Sequence, residues 1–405
     1  MKAVTDFVQH HMNDDTLRLI LERNKYPEID MSLVVNCIES RRTLKGKMQE
    51  WYDEPELIFP LKLSAEQCSS SATGRYKADL AERIADKRLW RIADLTGGLG
   101  VDSWYFSQKA EHVIYNEMQT VLCEAARHNF GILGASGIDV INSEVSKENL
   151  DSILDRDVDI AYLDPARRDS KGKKVFLIED CTPDVLNLKE DIFKRVRHIL
   201  IKLSPMADIT MACERLGQKC REVHVVSAAG ECKELLIWMD REWNDEYTVT
   251  ASELHNDGSF TSFIFKLSEE KSAVPTYLSP EKTYIFEPGK ALMKAGAFNL
   301  ISERFRIAKL GRSTHYYITD NEVVALELKN YGKVYQILDC MPLDKRSIKH
   351  CAQKYPKAEI TARNIPMDTE ALRKKSGITS GDDAHIFGLK SDLEGNLLIA
   401  AKRIF

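Results

Sequence analysis

Apolar positions recur three and four apart through the first ninety residues, in Thr16–Arg23, Leu33–Ile38 and Ala78–Ala85. That spacing collects them on one helix face, and Pro27, Pro55 and Pro60 break the segment into several short helices. From Arg91 the rhythm changes. Short β-branched runs at Ile92-Ala93, Val113–Tyr115, Ile138–Ile141, Ile160–Leu163, His198–Ile201 and Val223–Val226 alternate with helical stretches. Their spacing predicts βαβ units, hence a parallel sheet covered by helices on both faces. Glu234–Met239 reads as one more strand, and Val249–Leu254 with Phe260–Leu267 as a hairpin around Asn256-Asp257-Gly258. Ser268–Ser272 reads as a linker, with Pro275, Pro280 and Pro288 beyond it. The last seventy-five residues read strand, helix, strand, helix, strand, strand, from Lys333–Leu338 to Asn396–Arg403. Four parts are expected: a helical region 1–74, an α/β domain 75–270, a small segment 278–330 and a terminal module 331–405.

With 43% hydrophobic and 29% charged residues among 405, the chain is an ordinary globular protein, neither disordered nor fibrous. No apolar run approaches the roughly 20 residues of a membrane helix, and the first residues lack a signal-peptide core. The net charge of −5 excludes a global basic field. Residues 331–405 nevertheless hold 13 Lys and Arg against 9 Asp and Glu, which marks a basic module on an acidic body. The nine cysteines are scattered without a Cys-x-x-Cys. Cys213, Cys220, Cys232 and His224 do not make a metal pattern, and the thiols are expected reduced and mostly buried, in a cytoplasmic protein without metal.

The most informative stretch is Ile92-Ala93-Asp94-Leu95-Thr96-Gly97-Gly98-Leu99-Gly100-Val101-Asp102. An apolar strand ends in an acid, a glycine-rich turn follows, and a helix begins. Such a turn lets backbone approach a ligand and aims helix N–H groups at it. About twenty residues on, Glu117 ends a second strand, where a carboxylate accepts hydrogen bonds from ribose hydroxyls. This much fits a nicotinamide enzyme nearly as well as a methyltransferase. Two features favour the latter: Asp94 stands where an acid holds a ligand's amino group, and Ser103 replaces the third small residue of the dinucleotide fingerprint. A fourth strand also runs straight into Asp164-Pro165-Ala166-Arg167-Arg168.

At these residues the chain resembles the class I S-adenosylmethionine-dependent methyltransferases, over about residues 75–245. The resemblance implies a Rossmann-like sheet, with S-adenosylmethionine held by Asp94, Thr96, Gly97, Gly98, Gly100, Glu117, Glu144 and Asp164. Asp164-Pro165 resembles the Asp-Pro-Pro-aromatic motif of amine-modifying members, although Ala166, Arg167 and Arg168 stand where the aromatic is expected. Carbon-5 pyrimidine enzymes need a Cys nucleophile, and Lys202-Leu203-Ser204-Pro205 offers none. Ribose 2′-O-methyltransferases carry a Lys–Asp–Lys–Glu tetrad, and Lys77, Asp164, Lys202 and Glu234 fall in that order. A lysine whose pKa is lowered by burial and a neighbouring cation would take or polarise the hydroxyl proton. The run Gln67–Lys77 is placed either to cover the pocket or to cap the following helix.

From about residue 280 the chain resembles THUMP-like modules preceded by a small ferredoxin-like segment, through Tyr284–Pro288, Met293–Phe298 and Glu359–Asn364. That resemblance implies RNA binding, with Arg363, Arg373 and Lys374, together with Arg167 and Arg168, as phosphate contacts. The expected fold is α/β, a methyltransferase sheet with a helical amino-terminal region and a smaller α+β carboxy-terminal module. The expected activity is methylation of RNA, tRNA or rRNA, at a base amine or ribose 2′-hydroxyl. A protein or small-molecule acceptor, and a non-catalytic RNA-binding scaffold, are the alternatives.

Overall fold

The computed structural model describes residues 2–154, 157–167, 178–277 and 283–404. It divides into two compact units, Met1–Val223 with Lys233–Glu246, and His224–Cys232 with Tyr247–Phe405.

The first unit opens with six helices: α1 (Lys2–His10), α2 (Thr16–Leu21), α3 (Met31–Leu44), α4 (Gln49–Asp53), α5 (Lys62–Gln67) and α6 (Ser71–Ala85). Asp15, Asp30 and Ser70 cap α2, α3 and α6 by accepting from backbone N–H groups of the first turn. Along α3, Met31, Val34, Cys37, Ile38, Arg41 and Leu44 are buried at helical spacing. Arg41 is the polar member of that face. Its guanidinium donates to the carbonyls of Tyr52, Glu54, Pro55 and Leu57 at 2.8–3.1 Å and so holds the irregular segment after α4. Asn129 does the same for Ile58, accepting from its N–H and donating to its carbonyl, both at 2.8 Å. These bonds replace the ladder contacts an irregular buried backbone lacks.

Residues 91–240 supply to one sheet the strands β1 (Arg91–Asp94), β2 (His112–Glu117), β3 (Ile138–Asn142), β4 (Ile160–Leu163), β5 (His198–Leu203), β6 (Cys220–Ala228) and β7 (Glu231–Asp240). Their order is β3-β2-β1-β4-β5-β7-β6. The first five run parallel, and β7 returns antiparallel beside β5, with Lys202 opposite Leu236. All four residues of β4 are buried, as a central parallel strand requires. The order reverses between β1 and β4, so a crevice opens at their carboxyl ends. Helices α7 (Val101–Ser107) and α8 (Thr120–Ile132) follow β1 and β2.

The second unit holds the expected hairpin, β8 (Thr248–Leu254) and β9 (Phe260–Lys266), with Gly258 at φ +85° in its turn. Its own eight-stranded sheet contains β10 (Thr276–Tyr277), β11 (Tyr284–Pro288), β12 (Ala308–Lys309), β13 (Tyr317–Thr319), β14 (Gly332–Pro342), β15 (Lys357–Arg363), β16 (Thr379–Ser391) and β17 (Gly395–Arg403), in the order β10-β12-β13-β11-β14-β17-β16-β15. Helices Lys345–Lys354 and Thr369–Ser376 pack through Ile348, Cys351 and Leu372 against Ile360, Ile386 and Leu398. Leu267–Ser272, expected as a linker, is helical instead. Its acids are anchored: Glu269 pairs with Arg304, and the Glu270 carboxylate accepts from the N–H groups of Asn299 and Leu300.

Replacing Arg41 by Ala strips four carbonyls, that of Leu57 buried, of their donor and is expected to cost about 3 kcal/mol. The loss is read as a lowered urea midpoint with an unchanged slope, and Arg41→Lys, a single point donor, recovers less than half of it.

Candidate active site

Beyond Asp94 the chain turns sharply through Leu95–Gly100 before α7 begins. Gly98 and Gly100 hold φ of +53° and +91°, which glycine alone adopts freely. A Cβ on Gly97 would stand 2.2 Å from the Tyr115 ring on β2, so the turn fits only as bare backbone. Glu117 closes it from the next strand. One of its oxygens accepts from Gly98 N–H at 3.0 Å and the other from Gln119 N–H at 2.8 Å. Thr96 Oγ1 accepts from the Asp164 N–H at 2.6 Å, joining the turn to the end of β4.

Asp94 is fully enclosed. Ser103 Oγ donates to it at 2.6 Å and Thr96 N–H at 3.1 Å. The residue at the third fingerprint position is therefore a serine for a reason: it binds the acid that ends β1. Burial, with Asp102 and Asp164 nearby, pushes the Asp94 carboxyl up to about 7 against those two hydrogen bonds.

Asp94, Thr96, Gly97, Gly98, Gly100, Glu117, Glu144 and Asp164 all line a single cleft. Ser64, Gln67, Cys68 and Ser69 line it as well, while Ser70 caps α6 in a reciprocal pair with Thr73. The segment before α6 thus both bounds the cleft and caps the helix.

Behind this wall lies a cluster of charges. Lys77, on α6, has no exposed surface. Its ammonium donates to both Glu234 oxygens, at 2.8 and 3.0 Å, and to Ser69 Oγ at 2.9 Å, with Asp102 Oδ1 at 3.3 Å. Lys202 Nζ donates to Asp164 Oδ2. Tyr162 OH donates to Asp102 Oδ2 at 2.8 Å. Lys77, Asp164, Lys202 and Glu234, distant in sequence, are brought together, and Pro165 is buried directly after Asp164.

Lys202 departs from expectation. Burial alone would lower its pKa, but Asp164, Asp102 and Glu234 outweigh it, and the ammonium is held more firmly than in water. It is not a ready base. Asp102 is lowered, because Lys77, Lys202 and the Tyr162 hydroxyl overcome its burial, whereas burial raises Glu234.

Arg167 pairs with Cys181 through backbone in a two-residue ribbon, and Arg168 lies outside the described residues. In the second unit Arg363 and Lys374 are exposed. Arg373 is spent locally, its guanidinium donating to the carbonyls of Ala358 and Ile378 and pairing with Glu359. Among the described residues no group of three metal-ligating side chains occurs. Sequence reasoning missed Asp102 and Tyr162, while Ser69 falls in the Gln67–Lys77 run placed at the pocket. Asp102 in the first turn of a helix reads simply as a dipole-complementing acid, and its lysine partners are visible only after folding.

The strand order, the bare glycine turn at the switch point and the acid ending β2 define a class I S-adenosylmethionine-dependent methyltransferase. The lining fits that cofactor, which is cationic at sulfur: five carboxyl groups and, among the described residues, no Lys, Arg or His. Family models match residues 284–325 as a ferredoxin-like domain and 332–403 as a THUMP domain-like module. A solved structure from Porphyromonas gingivalis W83, provisionally described as a methyltransferase, is 31% identical over 100% of this chain and 98% of its own, with a TM-score of 0.88. The chain belongs to the same family as that protein, and it is a methyltransferase. An rRNA methylase from Streptococcus thermophilus (14% identity, 41% of this chain and 93% of that one, TM-score 0.31) and a Streptococcus mutans protein solved with S-adenosylhomocysteine (13%, 40% and 96%, 0.29) are also matched over part of the chain. No curated protein matches the chain. No helix among the described residues is long and apolar enough to cross a membrane.

The native protein keeps the Asp94 proton up to about pH 7, while an unfolded chain releases it near the ordinary 3.8. Between those values the folded state binds the extra proton, so stability falls as pH rises and levels off above 7. Asp94→Asn is expected to flatten that slope, to make the ligand-free protein more stable than wild type at pH 8, and to weaken S-adenosylmethionine binding. Urea melts from pH 4 to 8 and titration calorimetry check both arms.

Proposed function

We propose that this methyltransferase acts on RNA, at a ribose 2′-hydroxyl. The observation that supports the acceptor is the gathering of Lys77, Asp164, Lys202 and Glu234 behind one edge of the cofactor cleft. S-adenosylmethionine supplies the methyl group as an electrophile on a cationic sulfur. The proton of the hydroxyl has to leave as its oxygen is alkylated, and Asp164 is the member of the quartet that lines the cleft. Lys202 fixes that carboxylate from behind. Lys77 and Glu234, at 0% and 3% exposure, are out of any acceptor's reach, so their role is to position the others. RNA as the acceptor class is supported by the THUMP-like match and by the exposed cations of that module, Arg363 and Lys374 among them.

The test is transfer of labelled methyl to RNA from cells lacking the gene, followed by nucleoside analysis. Ribonuclease-sensitive label in a nucleoside methylated on ribose, whose linkage resists alkali, is the expected result. Label in a base would move the acceptor to an exocyclic amine, and label that survives ribonuclease would remove RNA altogether. Asp164→Asn is expected to lower kcat about a hundredfold.

A further inference from the structure

We propose that Asp102 makes this enzyme hold its cationic methyl donor more tightly than the neutral thioether left after transfer. The inference rests on the cofactor rather than on the acceptor, so it stands or falls separately from the RNA reading.

Its basis is how the charges pair. Lys202 is taken by Asp164. Lys77 gives its closest contacts to the two Glu234 oxygens and to Ser69. Asp102 receives the remainder: its Oδ1 is buried, makes no hydrogen bond of good geometry and lies 3.3 Å from the Lys77 ammonium. Two ammonium groups therefore face three carboxylates. Lys47 donates instead to the carbonyls of Ala65 and Glu66. Asp102 lines the cleft and remains ionised, whereas both lysines stand behind the wall.

Donor and product differ by the transferred methyl and the charge it leaves behind, a sulfonium before transfer and a neutral sulfur after it. Every contact to adenine, ribose and the amino-acid end is common to both. The packing of that methyl aside, a preference between them reports the field at sulfur, and a partly desolvated carboxylate without a full counter-charge supplies a field of the right sign. The consequence is functional: product leaves more readily than donor.

Titration calorimetry with S-adenosylmethionine, S-adenosylhomocysteine and sinefungin, which carries an ammonium-bearing carbon in place of the sulfonium, tests this without any acceptor. The two cationic ligands are expected to bind about tenfold more tightly than S-adenosylhomocysteine. In Asp102→Asn the preference falls below about threefold, while Tyr162→Phe, which removes a hydrogen bond and leaves the charge, retains it. Equal or tighter binding of S-adenosylhomocysteine by the wild type overturns the proposal, as does an unchanged preference in Asp102→Asn. Should that variant not fold by circular dichroism, the wild-type series and Tyr162→Phe decide.

Discussion

An ammonium taken wholly out of water needs carboxylates around it, and Lys77 has lost every contact with solvent. Its partners come from three places: Glu234 on β7, Asp102 on α7 and Ser69 just ahead of α6. Lys202 on β5 continues the cluster to Asp164 at the end of β4. Five elements are thus tied at one point by charge. Removing a single partner would strand a buried ion, a loss of about 3–5 kcal/mol, whereas the intact set contributes little net stability. What the cluster supplies is position. It fixes the carboxylate of Asp164 against the cleft where a flexible acid would wander.

Much of this was legible before folding, because it is written locally. The glycine turn between an apolar strand and a helix, with acids at Asp94 and Glu117, states its conformation in consecutive residues. The strand-helix alternation of 332–403 is equally local, and the elements fall where the hydrophobic pattern places them. The quartet was legible only as an order of residue types along the chain. That Lys77 is buried while Lys374 is exposed depends on which face of a helix meets another element, which short charged stretches do not encode. The direction of the Lys202 shift is hidden from the sequence for the same reason. Burial was foreseeable, three surrounding carboxylates were not. Ser268–Ser272 looked like a linker through its composition, yet its acids find the N–H groups of Asn299 and Leu300 and the guanidinium of Arg304.

The basic character of residues 331–405 carries a related lesson. Counting cations treats each as available, but Arg373 is consumed by the carbonyls at both ends of its own neighbourhood, and Lys354 pairs with Asp339. The charge that remains for a polyanion is smaller than the sequence total and is set residue by residue.

The cofactor cleft shows the opposite economy. Five carboxyl groups converge on it, with no cation in its lining among the described residues, an arrangement that repels itself in the ligand-free protein. Asp94 answers by holding a proton up to about pH 7, and Asp102 by leaning on lysines behind the wall. Both devices lower the cost of gathering these acids, and among the described residues neither places a protein cation in the lining. A cleft built this way favours whichever state of the cofactor carries the cation, and methyl transfer is the event that removes it.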